Sequence, residues 1–134
     1  MNSASRQTVY SAHERVKLAD IESGVAFNVF SKLPNGVIPI ALAVIILTPF
    51  DSATSDLLDI GTAADPDAYK ADVNVAAAAG TKVDATTLPG LINEASGGLQ
   101  LQATWTGTGT APTEGEFLIV GQFIEDSREH FTQG

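Results

Sequence analysis

The chain contains no cysteine. Disulfides and thiolate metal sites are therefore excluded. Basic residues are few. Arg6, Arg15, Lys17, Lys32, Lys70, Lys82 and Arg128 are scattered along 134 residues and face sixteen acidic ones, for a net charge of −9. Binding a phosphate backbone requires Lys and Arg in clusters, so nucleic acid is not an expected partner. Histidine occurs only at His13 and His130. The stretch HERVK lacks the second histidine of a zinc-binding HExxH helix, and no G-x-S-x-G elbow is present. Both histidines read as exposed side chains. The first eighteen residues hold no apolar core of the kind a signal peptide needs.

Long apolar runs are also scarce. The single candidate is residues 37–50, VIPIALAVIILTPF. As a helix, 14 residues would rise about 21 Å, short of the roughly 30 Å of bilayer hydrocarbon. Pro39 and Pro49 would break it as well. A membrane span is not expected. As a strand, the run places Ile38, Ile40, Leu42, Val44 and Ile46 on one face and Ala41, Ala43, Ile45 and Leu47 on the other. Both faces are apolar, so both call for a cover, from the domain's own core or from another subunit.

Period-two alternation recurs elsewhere. In LQLQATWT, Leu99, Leu101, Ala103 and Trp105 alternate with polar residues, which makes Trp105 a core residue rather than an exposed stacking platform. Val25, Phe27 and Val29 share a face in GVAFNVFSK. Val16 and Leu18 oppose Arg15 and Lys17. Phe117, Ile119 and Phe123 line one side of EFLIVGQFIE, and Val73 and Val75 give a weaker signal. Helix signals are limited to single turns at 66–72, with Asp65 as cap, and at 88–96. Turn clusters stand at 33–36, 96–98 and 106–115, the last read as the exposed tip of a hairpin. The expected fold is an all-β antiparallel sandwich of about seven or eight strands. Residues 1–14 read as an N-terminal arm, 15–125 as the sandwich and 126–134 as a polar tail, the ends being poor in apolar groups.

The apolar run leads into a loop holding Asp51, Asp56 and Asp59. Calcium takes oxygen ligands, which makes these three the weak candidates for a metal site. The EF-hand pattern is missing, and FDSATSD reads more simply as a turn. A carboxylate pair for glycoside hydrolysis has no visible cleft to face, and GTGT lacks the Lys and Ser/Thr of a P-loop. No catalytic residue, cofactor or required ion is expected, and the chain is not expected to be an enzyme.

The segments LPNGVIP, VIILTPFDSATSDLLDIGTAADPDAYKADVNVAAAAGTK and ATWTGTGTAPTEGEFLIVGQFIE resemble small virion proteins of tailed bacteriophages. The resemblance covers roughly residues 33–125 and is carried by short, turn-rich motifs. That group includes capsid decoration, or cement, proteins with a jelly-roll-like β-sandwich. The resemblance implies a structural protein on the outer capsid surface that clamps neighbouring major capsid protein subunits, itself a homotrimer or homodimer. Alternatives are a head-fibre, tail or adaptor component, or a carbohydrate-binding module on the same scaffold. Partner contacts in the arm are expected from Arg6, which can pair with carboxylates, and Tyr10, which joins apolar area to a polar tip.

Overall fold

The computed structural model describes residues 9–30, 37–85, 87–88 and 100–125. Arg6, His130, the turns at 33–36 and 96–98, the tail at 126–134 and nearly all of the expected helical turn at 88–96 lie outside them.

Among the described residues, eight strands form two four-stranded antiparallel sheets. The strands are β1 (Tyr10–Lys17), β2 (Ala26–Asn28), β3 (Val37–Thr48), β4 (Ser55–Gly61), β5 (Lys70–Asn74), β6 (Lys82–Asp84), β7 (Gln102–Thr108) and β8 (Glu116–Glu125). The first sheet runs β1-β8-β3-β6 and the second β2-β7-β4-β5. The pairs β1–β8, β2–β7, β3–β6 and β4–β5 are those of one long hairpin, turned back between β4 and β5 and rolled up. This is the jelly-roll arrangement. The helical content of the described residues is a single 3-10 turn at Leu18–Asp20.

Alternation places the core. Leu42, Val44 and Ile46 from β3 meet Phe117, Ile119 and Phe123 from β8 across the first sheet's inner face. Leu58 and Ile60 from β4 and Ala103 and Trp105 from β7 close on them from the second sheet. Phe50 knits the two, with ring centroids 5.3 Å from Trp105 and 5.8 Å from Phe117. Full burial of side chains of this size stabilises by about 1.5–3 kcal/mol each.

Several expectations are corrected. Residues 55–61 form β4, not the end of a loop. Their alternation is masked because an inward position is taken by Asp56, which is fully buried. The loop after β7 is not a hairpin tip: β7 and β8 belong to different sheets, and the loop crosses between them. Alternation reports a strand's buried face but not its sheet. Gly115 lets this crossover close against Phe50, since a Cβ there would collide with the ring. Residues 66–69 form a turn closed by Ala68 N–H donating to Asp65 C=O (3.1 Å), and β5 begins where the helical turn was expected. Val25 is half exposed because it precedes β2 in a turn, with its N–H bonded to Glu22 C=O. In β3 the even-numbered face does not persist. A register shift between Pro39 and Ala41 turns Pro39 inward and leaves Ile40 exposed. Residues 10–14, assigned from sequence to the arm, are the first five of β1 and pair with Phe123–Ile119 of β8.

Candidate functional site: the outer face of the first sheet

The outer faces of the two sheets differ in chemistry. On the second sheet most outward positions are polar or acidic, Asn28, Gln102, Thr104, Thr106, Asp59, Asp72 and Asn74, with Leu57 and Ala26 the apolar interruptions. On the first sheet they run in rows across the strands. One row is Arg15, Leu118, Ile45 and Lys82; the next is His13, Val120, Ala43 and Asp84; the third is Ser11, Gln122 and Ala41. The centre is apolar and the margins are charged. Leu118, Val120 and Ile45 are half-buried, Ala41 and His13 are exposed, and Ala43 is covered by its neighbours. A shallow hollow of about 370 Å³ lies over Ala41, Ala43 and Gly121.

The sheet's charge also departs from that of the chain. The described residues include four basic side chains, and Arg15, Lys17 and Lys82 stand on this face. Arg15 Nη1 lies 3.0 Å from Glu116 Oε2, an oxygen itself withdrawn from water, and Lys82 Nζ lies 3.0 Å from Asp84 Oδ1 with both groups exposed. The exposed Lys82–Asp84 pair contributes little to stability. The two pairs do leave this face close to neutral on a strongly acidic protein.

The three aspartates singled out as metal candidates do not converge. Asp51 accepts from Thr113 Oγ1–H (2.7 Å), Thr113 N–H (2.7 Å) and Glu114 N–H (3.2 Å), tying the crossover loop to the end of β3. These bonds, the Thr113 hydroxyl first, hold its carboxyl below the usual aspartate range. Asp56 accepts from Ser52 N–H (2.9 Å), Ser52 Oγ–H (2.5 Å) and Trp105 Nε1–H (3.1 Å) inside the core. Asp59 accepts from Asp72 N–H (2.8 Å), which holds Asp72 at φ 56°. Among the described residues no group of three His, Cys, Asp or Glu is placed to hold a metal ion. Asp65 hydrogen-bonds the Asp67 side chain, and this contact raises its pKa. The Tyr69 hydroxyl is pushed up by burial, and further by the charge of Asp65.

Trp105 is 3% exposed and belongs to the core, so it offers no stacking platform. A second hollow of about 460 Å³ lies between loops beside it, lined by Leu18, Ile21, Ser23, Gly107 and Pro112 and by one carboxylate, Glu22. His13 stands on the outer face of β1. No helix among the described residues is long and apolar enough to cross a membrane.

Period-two spacing found half of the outer face, in Ala41, Ala43 and Ile45. It missed Leu118 and Val120, although EFLIVGQFIE is apolar at both parities and carried the same signal as β3.

No family model matches the chain, and no curated protein matches it. Among solved structures, the fold is similar to that of a chain in the cyanophage Pam1 capsid asymmetric unit. The TM-score is 0.67 at 19% sequence identity, covering 89% of this chain and 86% of that one. At this identity the likeness establishes a shared fold over nearly the whole of both chains.

Proposed function

We propose that this chain is a structural protein of a phage particle, a decoration protein that sits on the outer capsid surface and clamps neighbouring major capsid protein subunits. The observation that carries this reading is the near-complete overlap of the jelly roll with a chain of a phage capsid asymmetric unit. Three features support it. Asp51, Asp56 and Asp59 each hold a loop or turn in place and are not gathered around a cleft. The exposed surface of the first sheet is broad and apolar at its centre, as a contact surface between proteins is. A net charge of −9 suits a position away from packed DNA.

A clamp binds the assembled shell better than free subunits and stabilises it by mass action. The residues before β1, with Arg6 in them and Tyr10 at their root, form the arm that lies across an adjacent subunit. Segments that order on binding cover large surfaces at modest affinity, which suits a contact repeated over a shell.

The test is reconstitution. Particles made without the protein are incubated with the full chain or with a variant lacking residues 1–9, then imaged and heated. Density on the outer shell and a raised temperature of DNA release, both reduced by the deletion, are the expected result. Density in the tail or inside the shell refutes the placement. Full stabilisation by the truncated chain refutes the arm.

A further inference from the structure

We infer that the outer face of the first sheet is a two-fold interface between two copies of this chain, independently of where the protein acts. The face is complementary to itself. Ile45 and Leu118 form a ridge in one row, and Ala43 and Ala41 floor the hollow in the next two rows. A two-fold axis lying across the strands, between the Ile45 row and the Ala43 row, exchanges these rows. Ile45 of each copy then enters the hollow of the other over Ala43, and Leu118 packs on Val120 at its side.

Charge follows the same operation. Lys82 shares the row of Ile45, and Asp84 shares the row of Ala43. The axis therefore sets Lys82 of each copy over Asp84 of the other. By the same operation Arg15 of each copy faces His13 of the other. Two chains of charge −9 repel through most of their surface, and this face, which gathers three of the four described cations, is where they can approach.

Area permits the contact. β1, β3 and β8 offer about 27 Å each at a spacing of about 4.8 Å, and the three residues of β6 about 10 Å, a footprint of roughly 440 Å² per copy or about 900 Å² in all. This lies just under the roughly 1,000 Å² of a stable specific interface, so a weak, reversible dimer is expected. The contact is isologous and closes at two copies. It also runs β1 antiparallel to β1 of the second copy, so the two Tyr10 ends of the strand point in opposite directions. Under the clamp reading, one dimer would reach two subunits.

The test uses the full chain in analytical ultracentrifugation across 1–300 µM (about the range for weak dimers). A monomer–dimer equilibrium is expected. Ala41→Trp, at an exposed position, fills the hollow and is expected to abolish the dimer while leaving the circular dichroism spectrum and melting temperature unchanged. Lys82→Glu and Asp84→Lys are each expected to weaken self-association several-fold. Mixed in equal amounts, these two variants are expected to form a heterodimer, since each then presents the opposite charge at both crossing points. Loss of an ion pair within one chain would not produce that preference. A monomer throughout the range, a trimer, a dimer indifferent to Ala41→Trp, or no preference on mixing the charge variants would each overturn the interface.

Discussion

Asp56 offers the sharpest test of how the core is held. It is the buried polar side chain of the described core, fully enclosed, and it accepts from Ser52 N–H, Ser52 Oγ–H and Trp105 Nε1–H. Replacing it by Asn keeps the shape and one acceptor oxygen. The amide NH2 must then face either the Ser52 N–H or the pair of donors from Ser52 and Trp105. In the milder case one acceptor is lost and two N–H groups oppose each other out of reach of water. Leaving a buried donor unsatisfied costs about 1–3 kcal/mol, and a hydrogen bond to a charged group contributes about 1.5–3 kcal/mol. A loss of about 2–3 kcal/mol is expected for Asp56→Asn. At roughly 2.1 cal/mol/K per residue, a chain of this length loses about 1 °C for each 0.3 kcal/mol, so the melting temperature should fall by about 7–10 °C. Scanning calorimetry measures it. Trp105→Phe keeps an aromatic ring but removes the indole donor and part of the buried ring, so it carries a cavity cost of its own that the double-mutant cycle cancels. Combined with Asp56→Asn it should fall short of additivity by about 0.5–3 kcal/mol, as expected for residues in one network. A drop below about 2 °C for Asp56→Asn, or strict additivity in the cycle, would mean that Asp56 is not the acceptor holding this part of the core.

Other outcomes follow from the same geometry. Gly61→Ala would drive a Cβ into Asp65 O and place it 2.5 Å from Pro66 C, so the β4–β5 turn must shift; a loss of about 1–3 kcal/mol is expected by chemical denaturation, without change of fold. The Asp51 carboxyl is held below its ordinary value of 3.8 by Thr113. Its contribution to stability is therefore present above that value and lost as pH falls through its folded pKa. Asp51→Asn should be less stable than the parent at pH 7, and melts should show the difference shrinking as pH falls through the folded pKa. Asp65 has the opposite sign: its pKa is raised above 3.8, first by the hydrogen bond to Asp67. Its contribution is present below the ordinary value and lost as pH rises through the folded one. Asp67→Asn removes the second charge and should raise the melting temperature at pH 7 but not at pH 3.

The fold was legible where side chains alternate without interruption. Trp105, Ala103 and Leu101, like Phe117, Ile119 and Phe123, stand on the buried face their spacing assigns. Three of the places where it was obscured have separate physical reasons. Asp56 put a carboxylate where β4 turns a residue into the core, so a strand read as a loop. The shift at Pro39–Ala41 moved Ile40 off the face it would otherwise share with Leu42, and nothing in the spacing of residues announces a bulge. The crossover from β7 to β8 resembled a hairpin because Gly and Thr serve both; only the pairing of β8 with β1 and β3 separates the two. The candidate surface was half legible, because its ridge and hollow come from strands about seventy residues apart that become neighbours only after pairing. The three aspartates were visible as a group but act separately, since a strand sends successive carboxylates to opposite sides.

Pairing of the first strand with the last has a consequence for how the chain is made. β1 gains its neighbour only when β8 is available, roughly a hundred residues later, and β8 is also the strand that joins β1 to β3. During synthesis, then, the apolar inner residues of β3 and the unpaired backbone of β1 wait in water until β8 has been translated. At about 5–20 residues per second that interval lasts several seconds. Pairings so distant along the chain also place folding itself in the slow, millisecond-to-second range of β-sandwiches. The chain is exposed to misassociation until β8 is made, so slower, cooler expression should raise soluble yield, and truncation before β8 should leave an insoluble product.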